Sequence, residues 1–343
     1  MSADNSCEDL TVPLRNLLNS VQCVRDRVKD GESNESNGGF NLANFWDTLN
    51  QAAKAVSQEA TKLSLAFSKP PLPSQDDVEI LAGSMQKSVL SLSTVYYWLP
   101  KSQGISLRRL VRDATLDGLD GVIQLVEVLL SSPLQSLSQE QLSSTGGVWL
   151  ACDQFAHLPS DNQAAVGGLL SSHLGVVKDA IEEMEQARAE SVDPLSNELE
   201  DEDEEEPRGN MDTYWSEGDR QVLAPCGGLM KTAAACLRKL SAAVKASGSV
   251  ATPQTVAQLD DLADVTKMIS PGVDDLALTL YPPMDYSGVE NNACQLASIL
   301  KKVLEIIRSS HVCLEADLTW VQFLERAVEH NLHKIQDLVQ VSI

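Results

Sequence analysis

The stretch PLRNLLNSVQCVRDRVK, residues 13–29, decides the fold. Its apolar residues Leu14, Leu17, Leu18, Val21, Val24 and Val28 recur at i, i+3, i+4 and i+7, which lines them along one side of a helix. The same period returns along the chain. A second helix is expected from about 41 to 68, with Phe45, Leu49, Ala52, Val56, Leu63 and Phe67 inward, ending at Lys69-Pro70-Pro71-Leu72-Pro73. Ser74 with Asp77 three residues on forms a capping box that starts a third helix, which Pro100 ends. A fourth begins near Ser106, a shorter one spans 145–156, and another starts at the Ser160-Asp161 cap. No alternating Val/Ile/Thr run bounded by turn residues appears, so strands are not expected. The expected class is all-α: two antiparallel helical bundles joined by a disordered acidic linker.

That linker is read from charge. The chain has 343 residues and a formal net charge of −23. Residues 198–206 read ELEDEDEEE, and 182–219 hold 16 acids against Arg188 and Arg208, a local charge of −14. Such a block repels itself and buries no apolar area. The division it implies is 1–190 for the first bundle, 191–213 for the linker and 214–343 for the second. In the second, Thr252-Pro253 and Ser270-Pro271 read as caps with proline at the first helical position, and two longer helices follow over 286–309 and 318–340. That final pair has the form of a helix-loop-helix. A DNA-binding version needs a basic helix ahead of it, and 282–294 has no Lys or Arg. The overall charge argues equally against nucleic acid and anionic membranes. No apolar run approaches the roughly 20 residues of a membrane span, and the start is no secretory signal. An acidic, soluble, intracellular protein is expected.

Motifs for chemistry are sparse. Seven widely spread cysteines, without a CxxC pair, read as reduced thiols. His330 and His333 share a helix face but lack further ligands, and His311-Val312-Cys313 is as isolated. No GxSxG, Walker, GxGxxG or HExxH pattern occurs, so a non-enzymatic protein without metal or cofactor is expected. Gly167-Gly168 and Gly227-Gly228 read as points of close helix contact. Pro70 to Pro73 fits a PxxP core, although an interhelical stop is the better reading. Two Arg-x-Leu matches, at Arg15 and Arg108, fall inside helices. For binding, the acids Glu182, Glu183, Glu185, Glu200, Asp201, Glu202 and Asp203 are candidates to steer a basic surface, most effectively in low salt. Tyr214 and Trp215 are either a hydrophobic staple for the next helix, the favoured reading, or partner anchors. Ser216, with acids downstream, is a candidate acidophilic-kinase site.

Five segments carry a resemblance: AAKAVSQEAT at 52–61, VYYWLPKSQGISLRRLVRDATLD at 95–117, VVKDAIEEMEQ at 176–186, YWSE at 214–217 and ISPGVDDLALTLYPPM at 269–284. They resemble the cyclin-D-binding proteins, the Grap-and-cyclin-D-interacting family, over most of the chain and in the same order. The resemblance implies bundles similar to those of vinculin and α-catenin. It implies binding to D-type cyclins and to a Grap-type SH3/SH2 adaptor, and lowered phosphorylation of retinoblastoma protein with lower transcription under its control. Id-like pairing with helix-loop-helix transcription factors, and residence in cytoplasm and nucleus, are also implied. The apolar faces of the two final helices are expected to be used up in the bundle core, which leaves the acidic region and outer helix faces for partners. The competing reading is a vinculin-like scaffold that links cytoskeletal or signalling proteins.

Overall fold

The computed structural model describes residues 3–31, 39–131, 138–190 and 215–342. Among the described residues every regular element is helical, as expected. The expected acidic linker, together with Glu200, Asp201, Glu202, Asp203 and Tyr214, lies outside them.

The chain divides into two units, 1–161 and 162–343. The first holds α1 (Ala3–Lys29), α2 (Leu42–Ala66), α3 (Gln75–Trp98), α4 (Ile105–Ser131) and α5 (Gln139–Gln154). They close a ring: α2 packs on α3, α3 on α1, α1 on α4, α4 on α5 and α5 back on α2. Helix starts follow local chemistry. The Asn41 side chain accepts from the Asn44 amide at 2.9 Å to begin α2, and Ser74 and Asp77 form the expected reciprocal box at α3. Leu14, Leu17, Val21 and Val28 of the quoted stretch are buried, facing a core that includes Leu49, Val56, Met85, Leu92, Leu107 and Val122. Gly121 allows α4 and α5 to approach closely, since a Cβ there would sit 3.3 Å from the Val148 Cα.

Buried Arg108 braces this unit. Its guanidinium donates to the carbonyl oxygens of Leu99 and Gly31 and to the Tyr96 hydroxyl, and lies 5.0 Å from the Tyr96 ring centroid. A cation placed where α1 and α3 end meets carbonyls that have no partner inside their own helices. The Arg-x-Leu match at Arg108 is therefore part of the interior, as is Leu17 of the other match.

The second unit holds α6 (Asn162–Glu190), α7 (Glu217–Ser247), α8 (Pro253–Thr266), α9 (Ile269–Thr279), α10 (Tyr286–Ser309) and α11 (Leu318–Ser342). Helix α7 is its hub and packs on α6, α9, α10 and α11. Thr252 and Thr255 cap α8 with Pro253 in its first turn, as expected.

Three expectations change. Helix α6 was assigned to the first bundle, but its buried Val166, Leu170, Val177 and Met184 join the core of the second unit. Its N-terminal Asn162 amide also donates to Asp260 of α8 at 3.1 Å. Packing thus divides the chain at 161/162 and not at 190/191. Second, α5 starts at Gln139, six residues before the expected 145, because its first buried residues are the polar Gln141, Ser144 and Thr145. Third, α9 begins at Ile269, so Ser270 and Pro271 lie inside its first turn and Ser270 does not cap it.

Candidate functional site

The sequence-named acids that fall among the described residues stand on the C-terminal half of α6. Met184 faces the core, while Glu182, Glu183 and Glu185 are exposed around it. At 100° per residue these acids fan out to different neighbours. Glu185 reaches α7 and meets the Lys231 Nζ at 2.6 Å; both side chains are more than half exposed, so the pair contributes little to stability. Glu183 points its charge toward α9. There the Asp274 carboxyl is pushed above its ordinary range, first by partial burial and then by the charges of Asp275 and Glu183.

Between α6 and α7 runs a groove of about 290 Å³. Ile181, Met184, Leu223, Ala224 and Met230 make it apolar, and Glu185, Arg188 and Lys231 edge it. Gly227 lies along it with nothing within 4 Å of where its Cβ would be, so this glycine leaves the groove open and makes no helix contact. Gly167 and Gly168 likewise have open space, contrary to the expected close contact. Gly228 alone fits that expectation: a Cβ there would press on the Asn331 side chain of α11.

Trp215, named as a staple or a partner anchor, is buried at 5% exposure. Its indole N–H donates to the Leu280 carbonyl at 2.6 Å, and its ring centroid lies 6.2 Å from that of Tyr281. The anchor reading is corrected here: the ring is consumed in the bundle and holds the start of α7 to the end of α9. Ser216 follows it as the N-cap of α7. Its Oγ accepts from the Asp219 amide at 3.1 Å, and the Asp219 carboxylate accepts from the Ser216 amide at 2.7 Å and from the Tyr286 hydroxyl at 2.6 Å. Ser216 itself is exposed.

The helix-loop-helix pair is α10 with α11. Val289, Ala293, Leu296, Leu300, Val303, Leu304 and Ile307 of α10 are all buried, as are Val321, Leu324, Val328, Ile335 and Val339 of α11. Their apolar faces are spent inside the unit. What α11 offers outward is Phe323, 68% exposed.

Other chemistry is structural. Neutral His311 bridges the loops: its Nε2 accepts from the Ser249 amide at 3.1 Å, and its Nδ1 lies 2.7 Å from the Gln258 Oε1, the geometry of an Nδ1–H donor. Burial holds its pKa below the ordinary histidine value. The thiols of Cys226 and Cys236 are pushed by burial up to about 12, and that of Cys152 up to about 11, far from thiolate chemistry. Among the described residues no group of three or more His, Cys, Asp or Glu side chains is arranged to hold a metal ion. Among them, too, no helix is long and apolar enough to cross a membrane.

Comparison with known proteins supplies what geometry alone does not. Residues 48–190 match the family model described as Grap2 and cyclin-D-interacting, N-terminal, and 199–305 match its C-terminal counterpart. The chain is 62% identical over 341 residues to a Danio rerio protein named cyclin-D1-binding protein 1 homolog, with 99% of each chain covered. The chain belongs to this family. It is also 56% identical over 328 residues to the Xenopus laevis homolog, covering 96% of this chain and 98% of that one. To human cyclin-D1-binding protein 1 it is 42% identical over 339 residues, covering 95% and 93%. The two Grap2 and cyclin-D-interacting models leave residues 191–198 unmatched, just ahead of most of the acidic run, whereas packing divides the chain before α6.

Proposed function

We propose that this chain is a non-enzymatic regulator that binds D-type cyclins and thereby lowers phosphorylation of retinoblastoma protein, acting in cytoplasm and nucleus. What carries the reading is end-to-end similarity, at 42–62% identity, to proteins named for cyclin D1 binding. The exposed acids of α6 supply a field that attracts a basic partner surface and weakens in salt. Association with a Grap-type adaptor is drawn from the family description, and the exposed Pro70 and Pro71 offer one place for an SH3 groove.

Helix-loop-helix factors would be met by outer faces such as that around Phe323. Exchanging α10 or α11 with a partner would expose several side chains, each stabilised by about 1.5–3 kcal/mol in the core. Phosphorylation of Ser216 would add charge at the start of α7, which the helix end favours and the adjacent Asp219 opposes.

The decisive experiment is capture of purified cyclin D by the full chain at two salt concentrations, beside Glu182→Gln/Glu183→Gln/Glu185→Gln. Capture that weakens with salt and with the triple variant supports the proposal. A pure chain that captures no cyclin D ends it, and captured cyclin D indifferent to the triple variant removes these acids from the contact.

A further inference from the structure

Among the described residues, nothing else in the second unit covers the outer face of helix α9. Ile269, Val273, Leu276, Ala277 and Leu280 turn inward, while Leu278 is 72% exposed, the most exposed large apolar side chain among the described residues. Asp274 and Asp275 stand four and three residues before it, on the same outer side of the helix. Glu183 of the neighbouring α6 adds its charge to theirs. Two turns back on that face of α6 stands Val176, also exposed at 43%. Among the described residues no cation pairs with Asp274, Asp275 or Glu183; their effect on one another is repulsion.

We propose that the outer faces of α6 and α9 form a docking surface for a basic amphipathic helix of a partner protein, with an apolar side chain seated on Leu278 and Lys or Arg side chains on Glu183, Asp274 and Asp275. Charge complementarity selects the occupant. Like charges crowded at a surface are relieved by cations delivered between them, and a leucine among them is covered only by a ligand that also brings apolar area. A metal ion meets the first need and not the second. A second copy of this chain, at −23, would bring more of the same charge. Helix α9 presents its groups three and four residues apart and α6 presents Val176 and Glu183 seven apart, spacings a docked helix reads, and among the described residues there is no sheet edge to receive an extended strand. The surface shares Glu183 with the cyclin reading, but Asp274, Asp275 and Leu278 of α9 lie outside that reading, so the α9 variants test this inference separately.

The test titrates the full chain into two labelled synthetic helices of about 18 residues, about five turns each. They share one leucine face and differ in carrying lysine or glutamate on the other, and fluorescence anisotropy follows binding. The lysine helix binds, the glutamate helix does not, and affinity falls with salt. Leu278→Ser and Asp274→Asn/Asp275→Asn each weaken the lysine helix on the order of fivefold or more. The altered side chains lie on the outside of α9, so circular dichroism should show both variants folded. A control variant elsewhere, Asp76→Asn/Glu79→Gln on α3, leaves binding unchanged. Equal binding of the two helices, no effect of Leu278→Ser, or equal loss in the control overturns the proposal, the last showing attraction to overall charge alone. Cyclin D capture by the same variants, measured in parallel, reports on the proposed function by itself.

Discussion

Helices α5 and α10 solve the same problem with opposite materials. Helix α10 buries Val289, Leu296, Leu300, Val303, Leu304 and Ile307 and turns its polar residues outward. Helix α5 buries Gln141, Ser144 and Thr145 with Val148 and Cys152, and leaves Leu142, Trp149 and Leu150 exposed. Hydrogen bonds hold it to α2. The Gln141 amide donates to the Ser64 carbonyl at 2.7 Å, the Thr145 hydroxyl donates to the Ser64 Oγ at 2.8 Å, and the Trp149 indole donates to the Thr61 Oγ1 at 2.9 Å. Ser64 lies in the last turn of α2, where its carbonyl accepts only the Phe67 amide of the cap at 3.2 Å, so Gln141 supplies a second donor to it. Apolar burial releases water from every side chain, whereas a hydrogen bond replaces one already made to water and contributes about 0.5–1.5 kcal/mol net. The difference teaches that α10 is locked into the bundle, while α5 is the helix of the first unit least tied by its core.

The largest effect that tests this contrast is Leu300→Ala in α10. It should destabilise the second unit by about 2–5 kcal/mol in chemical denaturation, and a loss under 1 kcal/mol would show the core tolerates opening. Next, Gln141→Ala removes one of two donors to the buried Ser64 carbonyl and should destabilise the first unit by about 0.5–1.5 kcal/mol, the Phe67 amide still donating to it. A neutral result would mean water replaces the amide.

Alkylation under native conditions sharpens the point. Cys152 on α5 should react before Cys236 on α7, since both thiols must be uncovered to react and α5 opens at lower free energy. The reverse order would refute the ranking.

A smaller effect is pH dependence in the second unit. Neutral His311 accepts the Ser249 amide, and its folded pKa is below the ordinary 6.5. The unfolded chain therefore takes up the proton first. Stability is full above about 6.5 and is lost as pH falls from there to the folded value. Melting curves of His311→Asn should show a flatter dependence across that window. The smallest change expected is Leu150→Ser on the outer face of α5, within about 0.5 kcal/mol of the parent.

Most of the fold was legible because apolar side chains repeat with the helical period. Leu14, Leu17, Val21 and Val28 announce α1, and the Ser74 and Thr252 caps mark their helices to the residue. Helix α5 was read short because polar burial leaves no hydrophobic signal at Gln141 and Ser144. The Trp215 side chain carried a signal, yet composition alone left open whether it served the bundle or a partner. Leu278 was legible in principle: it breaks the stripe of α9 one turn after two acids, Asp274 and Asp275. Its meaning depends on Glu183, ninety-five residues earlier in the chain, which only packing brings beside it.

Sequence by itself determined the all-helical class, the capped helix starts at Ser74 and Thr252, the strong negative charge and, through its kinship, the family, because each of these is written in local spacing or in composition. Tertiary structure alone decided that α6 belongs with the helices after it, that Trp215 turns inward, and that acids from α6 and α9 share one surface. The physical reason is that an amphipathic face specifies burial without specifying against what. That choice falls to whichever apolar surface fits it in three dimensions.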